Sequence, residues 1–244
     1  MTNAIQSQLT EFYRSEFEAI RRDRTFTDKQ AMELSAPYLL SVPENYLTSA
    51  LKIMYVGKET NGWGGEVKNL HDFLNNEDGV DRLLRRYEHE MQDEPRWNIK
   101  YFIEYKKIRK SLTGNKKGSI VFSNLMKMDY KQKGNGYSRN SINHSVQLRE
   151  LSKRFFQKEL ELLKPDYIIF VTSHTYDSVI KSFLPDRETI EVIEKKALWK
   201  FRSNGAVCYR TWHPQTINYK AEKTIPEYFQ MIIDDIKNET CLPV

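Results

Sequence analysis

Cysteine is scarce in this chain, with only Cys208 and Cys241 among 244 residues. Two thiols are too few for a disulfide framework or a four-cysteine metal site. Cys208 lies in an apolar run, so we expect it to be a small buried hydrophobic residue. This usage is typical of the reducing cytoplasm, and we expect no bound metal or cofactor.

Long hydrophobic runs are also missing. The N-terminal segment 1–22 lacks the apolar core of a signal peptide. No run approaches the roughly 18 apolar residues that a membrane span requires. We therefore expect a cytoplasmic protein that is neither secreted nor inserted in a membrane.

The chain shows no internal repeat, low-complexity tract or Pro/Gly/Ser linker. Its length fits one large α/β unit, so we expect residues 1–244 to form a single domain with an N-terminal helical segment at about 1–48. Apolar residues at helical spacing predict helices over 4–22, 67–92 (with a break near 76–79), 97–111, 148–163, 175–183 and 224–238.

Short apolar runs predict buried strands at 51–56, 119–123 and 167–171, followed by a strand pair at 197–201 and 206–209. Residues 129–145 are rich in Lys, Gly, Asn and Ser, which predicts a mobile loop. Strands separated by helices favour a three-layer α/β sandwich with a mainly parallel central sheet.

Three polar residues follow the predicted strands: Glu59, Asn124 and His213. Functional residues of open α/β sheets collect beyond the carboxyl ends of the strands, and a parallel sheet would bring these ends to one edge. A carboxylate, an amide and an imidazole around a cleft suit hydrolysis.

Each of these residues also has a structural interpretation. Glu59 lies in a glycine-rich turn, where a carboxylate serves equally well as a helix cap. Asn124 is of a type that hydrogen-bonds its own backbone in turns. His213 precedes a proline and fits a purely structural role. The functional interpretation rests on the joint pattern at the strand ends.

Four segments, taken in order, resemble motifs of the uracil-DNA glycosylase superfamily. They are VGKETNGW (56–63), FSNLMKMD (122–129), KPDYIIFVTSHT (164–175) and TWHPQ (211–215). The resemblance covers roughly residues 50–215 and implies the α/β fold of that superfamily.

The resemblance implies a role for each matched residue. Glu59 takes the place of the acidic residue that positions water or stabilises the oxocarbenium-like sugar. Asn124 would bind the edge of the extruded base, and His213 would hydrogen-bond the base oxygen as it gains negative charge. The residues after His-Pro would enter the minor groove, which makes Gln215, Thr216 and Ile217 wedge candidates.

Gly57, Asn61 and Trp63 complete the expected base-binding set. Trp63 has the ring needed to stack on a base, although a core or lid aromatic is an equal alternative. Asn61 stands where the uracil-specific branch has a bulky Tyr, which favours a wider pocket.

Thr60 and Gln215 also depart from the usual Pro and Ser of the superfamily. The iron–sulfur branches need four cysteines, so no cluster is expected. Some bacterial members excise modified cytosines from phage DNA, which offers such a base as an alternative to uracil.

Basic residues are concentrated in 106–117 and 127–139, within a chain of net charge +5. We expect phosphate contacts from such a local excess. The candidates are Lys106, Lys110, Lys127, Lys131 and Lys133. A solvated helix face followed by a loop explains the same charges equally well.

The sequence thus predicts a DNA glycosylase that hydrolyses the N-glycosidic bond of a flipped-out uracil or modified base in single- or double-stranded DNA, in repair or antiviral defence. One alternative is a non-catalytic nucleic-acid-binding module on the same fold. Another is a metal-dependent nuclease or hydrolase, although the chain has no HExxH motif or histidine cluster.

Overall fold

A computed structural model describes residues 4–63, 65–93, 99–132, 136–137, 141, 144–217 and 220–241. The chain forms two compact units. The first comprises Met1–Val42, Lys58–Glu90 and Ser123–Leu163, and the second comprises Pro43–Gly57, Met91–Phe122 and Lys164–Val244.

The secondary structure alternates between helices and strands. The helices are α1 (Ala4–Asp23), α2 (Asp28–Glu33), α3 (Glu44–Leu47), α4 (Leu70–Leu74), α5 (Gly79–Asp93), α6 (Lys100–Leu112), α7 (Val146–Leu163), α8 (Asp177–Phe183) and α9 (Ile225–Thr240). The strands are β1 (Ile53–Gly57), β2 (Ile120–Asn124), β3 (Lys131–Gln132), β4 (Gly136–Tyr137), β5 (Tyr167–Phe170), β6 (Glu188–Glu194), β7 (Leu198–Ser203) and β8 (Ala206–Arg210).

The helices and buried strands predicted from apolar spacing are confirmed, with small shifts at their ends. The sequence analysis missed β6, whose residues are exposed or half-buried, because acidic residues interrupt its apolar positions. Within the predicted loop, β3 and β4 form a short antiparallel ladder.

The second unit contains a six-stranded sheet of order β2-β1-β5-β8-β7-β6, in which the last two residues of β2 belong to the first unit. Strand β5 is parallel to both β1 and β8. Strand β7 is antiparallel to β8 and β6, so β6 runs in the same direction as β8. The expected mainly parallel central sheet is confirmed.

Helices cover both faces of this sheet within the second unit. Adjacent residues of β8 point to opposite faces: the Tyr209 hydroxyl donates to Asp235 of α9 at 2.8 Å, whereas Arg210 pairs with Asp177 of α8 at 2.8 Å. Tyr55 of β1 packs against Tyr101 of α6. Tyr55 and Tyr209 are in register with the same residue of β5, so their side chains point to the same face of the sheet. Helix α6, which packs on Tyr55, therefore lies on the same face as α9. This arrangement is compatible with a three-layer sandwich.

The first unit is built around aromatic side chains from three helices. Phe17 of α1 contacts Phe73 of α4 and Phe155 of α7, with ring centroids 4.5 and 5.4 Å apart. Tyr13 packs on the same Phe155 at 5.0 Å. Edge-to-face and tilted pairs at these distances are favourable beyond the area they bury.

A buried ion pair crosses the first unit. The Lys127 ammonium lies 2.7 Å from the carboxylate of Glu159 in α7, and both side chains are fully buried. The hydroxyls of Ser123 and Tyr13 also donate to Glu159, at 2.7 and 3.0 Å. Burial lowers the pKa of Lys127, and the interaction with Glu159 opposes this shift.

No helix in the described ranges is long and apolar enough to cross a membrane.

Removing the buried ammonium tests how strongly this network holds the unit. We expect Lys127→Ala to lower the free energy of unfolding by about 3–5 kcal/mol, since it leaves the Glu159 carboxylate buried without its counter-charge. Urea denaturation measures the change. Lys110→Ala, on an exposed position of α6, is the control and should stay within about 0.5 kcal/mol of the wild type. If Lys127→Ala changed the free energy of unfolding as little as the control does, the assignment of a buried ion pair between Lys127 and Glu159 would be contradicted.

Candidate functional site

The loop after β1 carries Glu59, which is half-buried in the first unit. Both the backbone N–H of Ser141, at 2.9 Å, and the Ser141 hydroxyl donate to the Glu59 Oε2 atom. Two donors on one oxygen fix the orientation of the carboxylate and favour its charged form. Ser141 was not identified from the sequence, since nothing local links it to a residue 82 positions away.

A second carboxylate, Asp129, anchors the same loop. Its Oδ1 accepts a hydrogen bond from the Thr60 hydroxyl, and its Oδ2 lies 3.2 Å from the backbone nitrogen of Gly62. The Asp129 N–H donates to the Ser35 hydroxyl at 3.1 Å. Burial raises the pKa of Asp129, while the hydrogen bonds from Thr60 and Ser35 oppose the shift.

Thr60 therefore has a structural role where the superfamily often has proline. The sequence analysis treated it only as a departure from the motif. The sequence analysis did not single out Asp129, which was only the last residue of the segment FSNLMKMD.

Asn124 is the last residue of β2 and is buried. The segment that follows it is joined to the Glu59 loop, because the Met126 N–H donates to the Lys58 carbonyl at 2.9 Å. The structure thus brings together the two motif segments that carry Glu59 and Asn124, both within the first unit.

Trp63 is half-buried between two side chains of the first unit. Its ring centroid lies 4.8 Å from that of Tyr38 and 4.7 Å from the Arg86 guanidinium carbon. These contacts match the lid or core alternative for Trp63. Asn61, two residues earlier, is exposed, and Gly57 is buried at the end of β1.

His213 belongs to the second unit, where it follows β8 by three residues. Its Nδ1 atom accepts the Gln215 N–H at 3.2 Å, and its own N–H donates to the Ser173 hydroxyl at 2.9 Å. The imidazole centroid lies 5.2 Å from the Tyr101 ring. A nitrogen that accepts an amide N–H carries no proton, so neutral His213 presents Nε2–H as a donor.

Ser173 is a supporting residue of this turn that sequence reasoning missed. Its backbone has φ 58° and ψ 168°, a conformation that residues other than glycine rarely adopt. Its N–H donates to the Thr211 carbonyl at 3.0 Å, which links the end of β5 to the end of β8. The only sequence signal was its place in the matched segment KPDYIIFVTSHT (164–175).

The wedge candidates lie in the turn after His213. The Thr216 N–H donates to the His213 carbonyl at 2.8 Å, and Thr216 is half-buried. Gln215 is exposed, and Ile217 is 80% exposed. An isoleucine so accessible is suited to intermolecular contact, although single exposed apolar residues are common.

The prediction that Lys127 contacts phosphate is wrong, because its ammonium is buried and paired with Glu159. Lys110 is exposed and Lys106 is half-buried on α6. Lys131 lies in β3 with its side chain outside the described part of the chain, and Lys133 is outside the described residues altogether.

The basic run 106–117, on α6 and the turn after it, is also less available for binding than the sequence suggests. Arg109 is buried with its guanidinium over the Tyr105 ring, and Lys117 donates to the Gln92 carbonyl at 2.6 Å. Lys107 lies 3.4 Å from the Pro226 carbonyl. Part of this charge therefore has intramolecular partners.

Among the described residues, no group of three or more His, Cys, Asp or Glu side chains is placed to hold a metal ion.

No known protein-family model matches this chain, and no curated protein does so either. The superfamily suggested by the four motif segments stays a prediction.

The hydrogen bond from Gln215 makes the tautomer of His213 testable. We expect ¹⁵N-detected NMR at neutral pH to show Nδ1 unprotonated and Nε2 protonated, because Nδ1 already accepts an N–H. Comparison with the His213→Gln variant assigns the signals. A protonated Nδ1 in the neutral ring would contradict the geometry of this turn.

Proposed function

We propose that this protein is a DNA glycosylase, which hydrolyses the bond between a flipped-out base and its deoxyribose. The observation that carries the proposal is that His213, which follows a parallel strand, accepts the Gln215 N–H at Nδ1, so that the neutral ring carries its proton on Nε2. The resemblance of the strand-end motifs to the uracil-DNA glycosylase superfamily gives this donor its role.

The reaction needs stabilisation of two opposite charges. As the C1′–N bond breaks, its electron pair leaves with the base, and positive charge spreads over C1′ and the ring oxygen of the sugar. The Nε2–H of His213 would donate to the base oxygen on which negative charge develops. A neutral imidazole retains the proton that this hydrogen bond requires.

Glu59 would act on the sugar side of the bond. Its carboxylate is held by Ser141 and has the charge needed to stabilise the cationic sugar or to orient the attacking water. Water then adds to C1′ and loses a proton, while the released base gains one. The products are a free base and an abasic deoxyribose.

Asn124 would supply base recognition. A buried carboxamide presents one acceptor and two donors, which can match the hydrogen-bonding edge of a base. We propose uracil or a modified cytosine as the target. Asn61, which replaces a bulky tyrosine of the uracil-specific branch, is the reason to include bases with larger substituents.

Two substitutions test the proposed chemistry. We expect Glu59→Gln and His213→Ala each to lower the rate of base release by at least about tenfold, equivalent to about 1.4 kcal/mol of barrier. Release is measured by mass spectrometry of the free base, with DNAs that carry different modified bases.

The controls are Glu77→Gln and His89→Ala, which change exposed residues of the first unit and should leave the rate unaltered. Near-normal release by both Glu59→Gln and His213→Ala would refute the assignment. DNA binding without release by the wild type would favour a non-catalytic binding module.

Ile217 tests the mode of DNA entry. A wedge assists extrusion of a stacked base, so we expect Ile217→Ala to slow release from duplex DNA by about tenfold and to leave release from single-stranded DNA nearly unchanged. Single-turnover kinetics on both substrates measures the difference. Equal effects on the two substrates would argue against a wedge.

A further inference from the structure

Tyr101 of the second unit lies outside the four motif segments, and those segments assign it no role. It lies in the first turn of α6 and is 7% exposed. Its hydroxyl is buried, and no hydrogen-bond partner for it occurs in the described part of the chain. The Tyr101 ring also lies directly against the His213 imidazole, with centroids 5.2 Å apart and planes 36° from parallel.

Neighbouring tyrosines of the same layer differ from Tyr101 in this respect. The Tyr55 hydroxyl donates to the Tyr101 carbonyl at 3.2 Å, and the Tyr105 hydroxyl donates to the Ile120 carbonyl at 2.8 Å. A buried hydroxyl without a partner is destabilising, because it loses its hydrogen bonds to water and gains none in the fold. The fold satisfies the other two hydroxyls, so the hydroxyl of Tyr101, whose ring contacts His213, stands out as a group suited to a ligand.

Packing fixes the position of the Tyr101 ring. It contacts the rings of Tyr55, Phe102 and Phe122 at centroid distances of 5.2, 5.1 and 5.5 Å. A ring held on several sides presents its hydroxyl at a defined place, as a specificity-determining group requires. Burial also raises the pKa of Tyr101 well above its usual value, so the hydroxyl keeps its proton and stays a donor.

We propose that Tyr101 is a substrate-binding residue, whose hydroxyl hydrogen-bonds a polar group of the nucleobase that His213 contacts. This inference rests on the proposed glycosylase function and adds a determinant of base choice that the motifs do not contain. A site built to hydrogen-bond a polar group discriminates strongly against analogues that lack it.

The matched pair Tyr101→Phe and Tyr105→Phe tests this role. Each removes one hydroxyl from α6 and keeps the ring. We expect Tyr101→Phe to leave the thermal stability unchanged or slightly higher, because no protein hydrogen bond is lost. Tyr105→Phe should be less stable, because the buried Ile120 carbonyl loses its donor.

The activity measurement uses duplexes that each carry one uracil, thymine, cytosine, 5-methylcytosine or 5-hydroxymethylcytosine. We expect Tyr101→Phe to lower kcat/KM about tenfold for the base that the wild type prefers, with a smaller loss for the other bases. The ratio of kcat/KM between the preferred base and the other bases should therefore fall in Tyr101→Phe and stay unchanged in Tyr105→Phe.

The outcomes separate this inference from the proposed function. Unchanged preference in an active Tyr101→Phe variant would overturn the role of Tyr101 and leave the glycosylase proposal standing. A marked loss of stability in Tyr101→Phe would show a structural hydroxyl and also overturn the role. If the wild type releases none of these bases, nor any base in the broader screen, the proposed function fails and this inference fails with it.

Discussion

A buried ion pair between Lys127 and Glu159 constrains the first unit. The Lys127 ammonium lies away from water and depends on Glu159 for its counter-charge. The ammonium donates to the Ser123 hydroxyl in β2 and to Glu159 in α7, and Glu159 in turn accepts the hydroxyl of Tyr13 in α1. Because each of them must stay within hydrogen-bond distance, the segment after β2 has little freedom to move. Asn124, the last residue of β2, lies directly before this segment, between Ser123 and Lys127.

The architecture of the second unit was predictable because its strands are buried. A strand covered on both faces appears in the sequence as a continuous apolar run, as in β1 and β5. Strand β6 lacks such a run because its residues are exposed or only half-buried, so its place at the sheet edge is determined by pairing with β7. The local sequence pattern does not indicate the pairing of β6 with β7.

The candidate site was predictable only in part. Position after a strand was enough to select Glu59, Asn124 and His213, because that rule depends on topology alone. Ser141, which orients the Glu59 carboxylate, and Ser173, which accepts the His213 backbone N–H, are common residue types whose role comes from contacts across the fold.

Lys127 was wrongly predicted from the sequence to contact phosphate. A lysine within a basic run is usually solvated, and its burial follows from an acidic partner 32 residues away. Asp129 and Thr60 likewise acquire their role only from each other, across 69 residues of chain. Charge and composition along the sequence carry no information on such pairs.

The unusual backbone of Ser173 limits what this position can become. Glycine would adopt φ 58° without strain but would remove the oxygen that accepts the His213 N–H. Alanine would lose the same oxygen and retain the strain, which is about 1–3 kcal/mol for such a conformation. Serine therefore accepts backbone strain in return for a hydroxyl that holds the main chain of His213, so a substitution at position 173 would act on the position of that main chain.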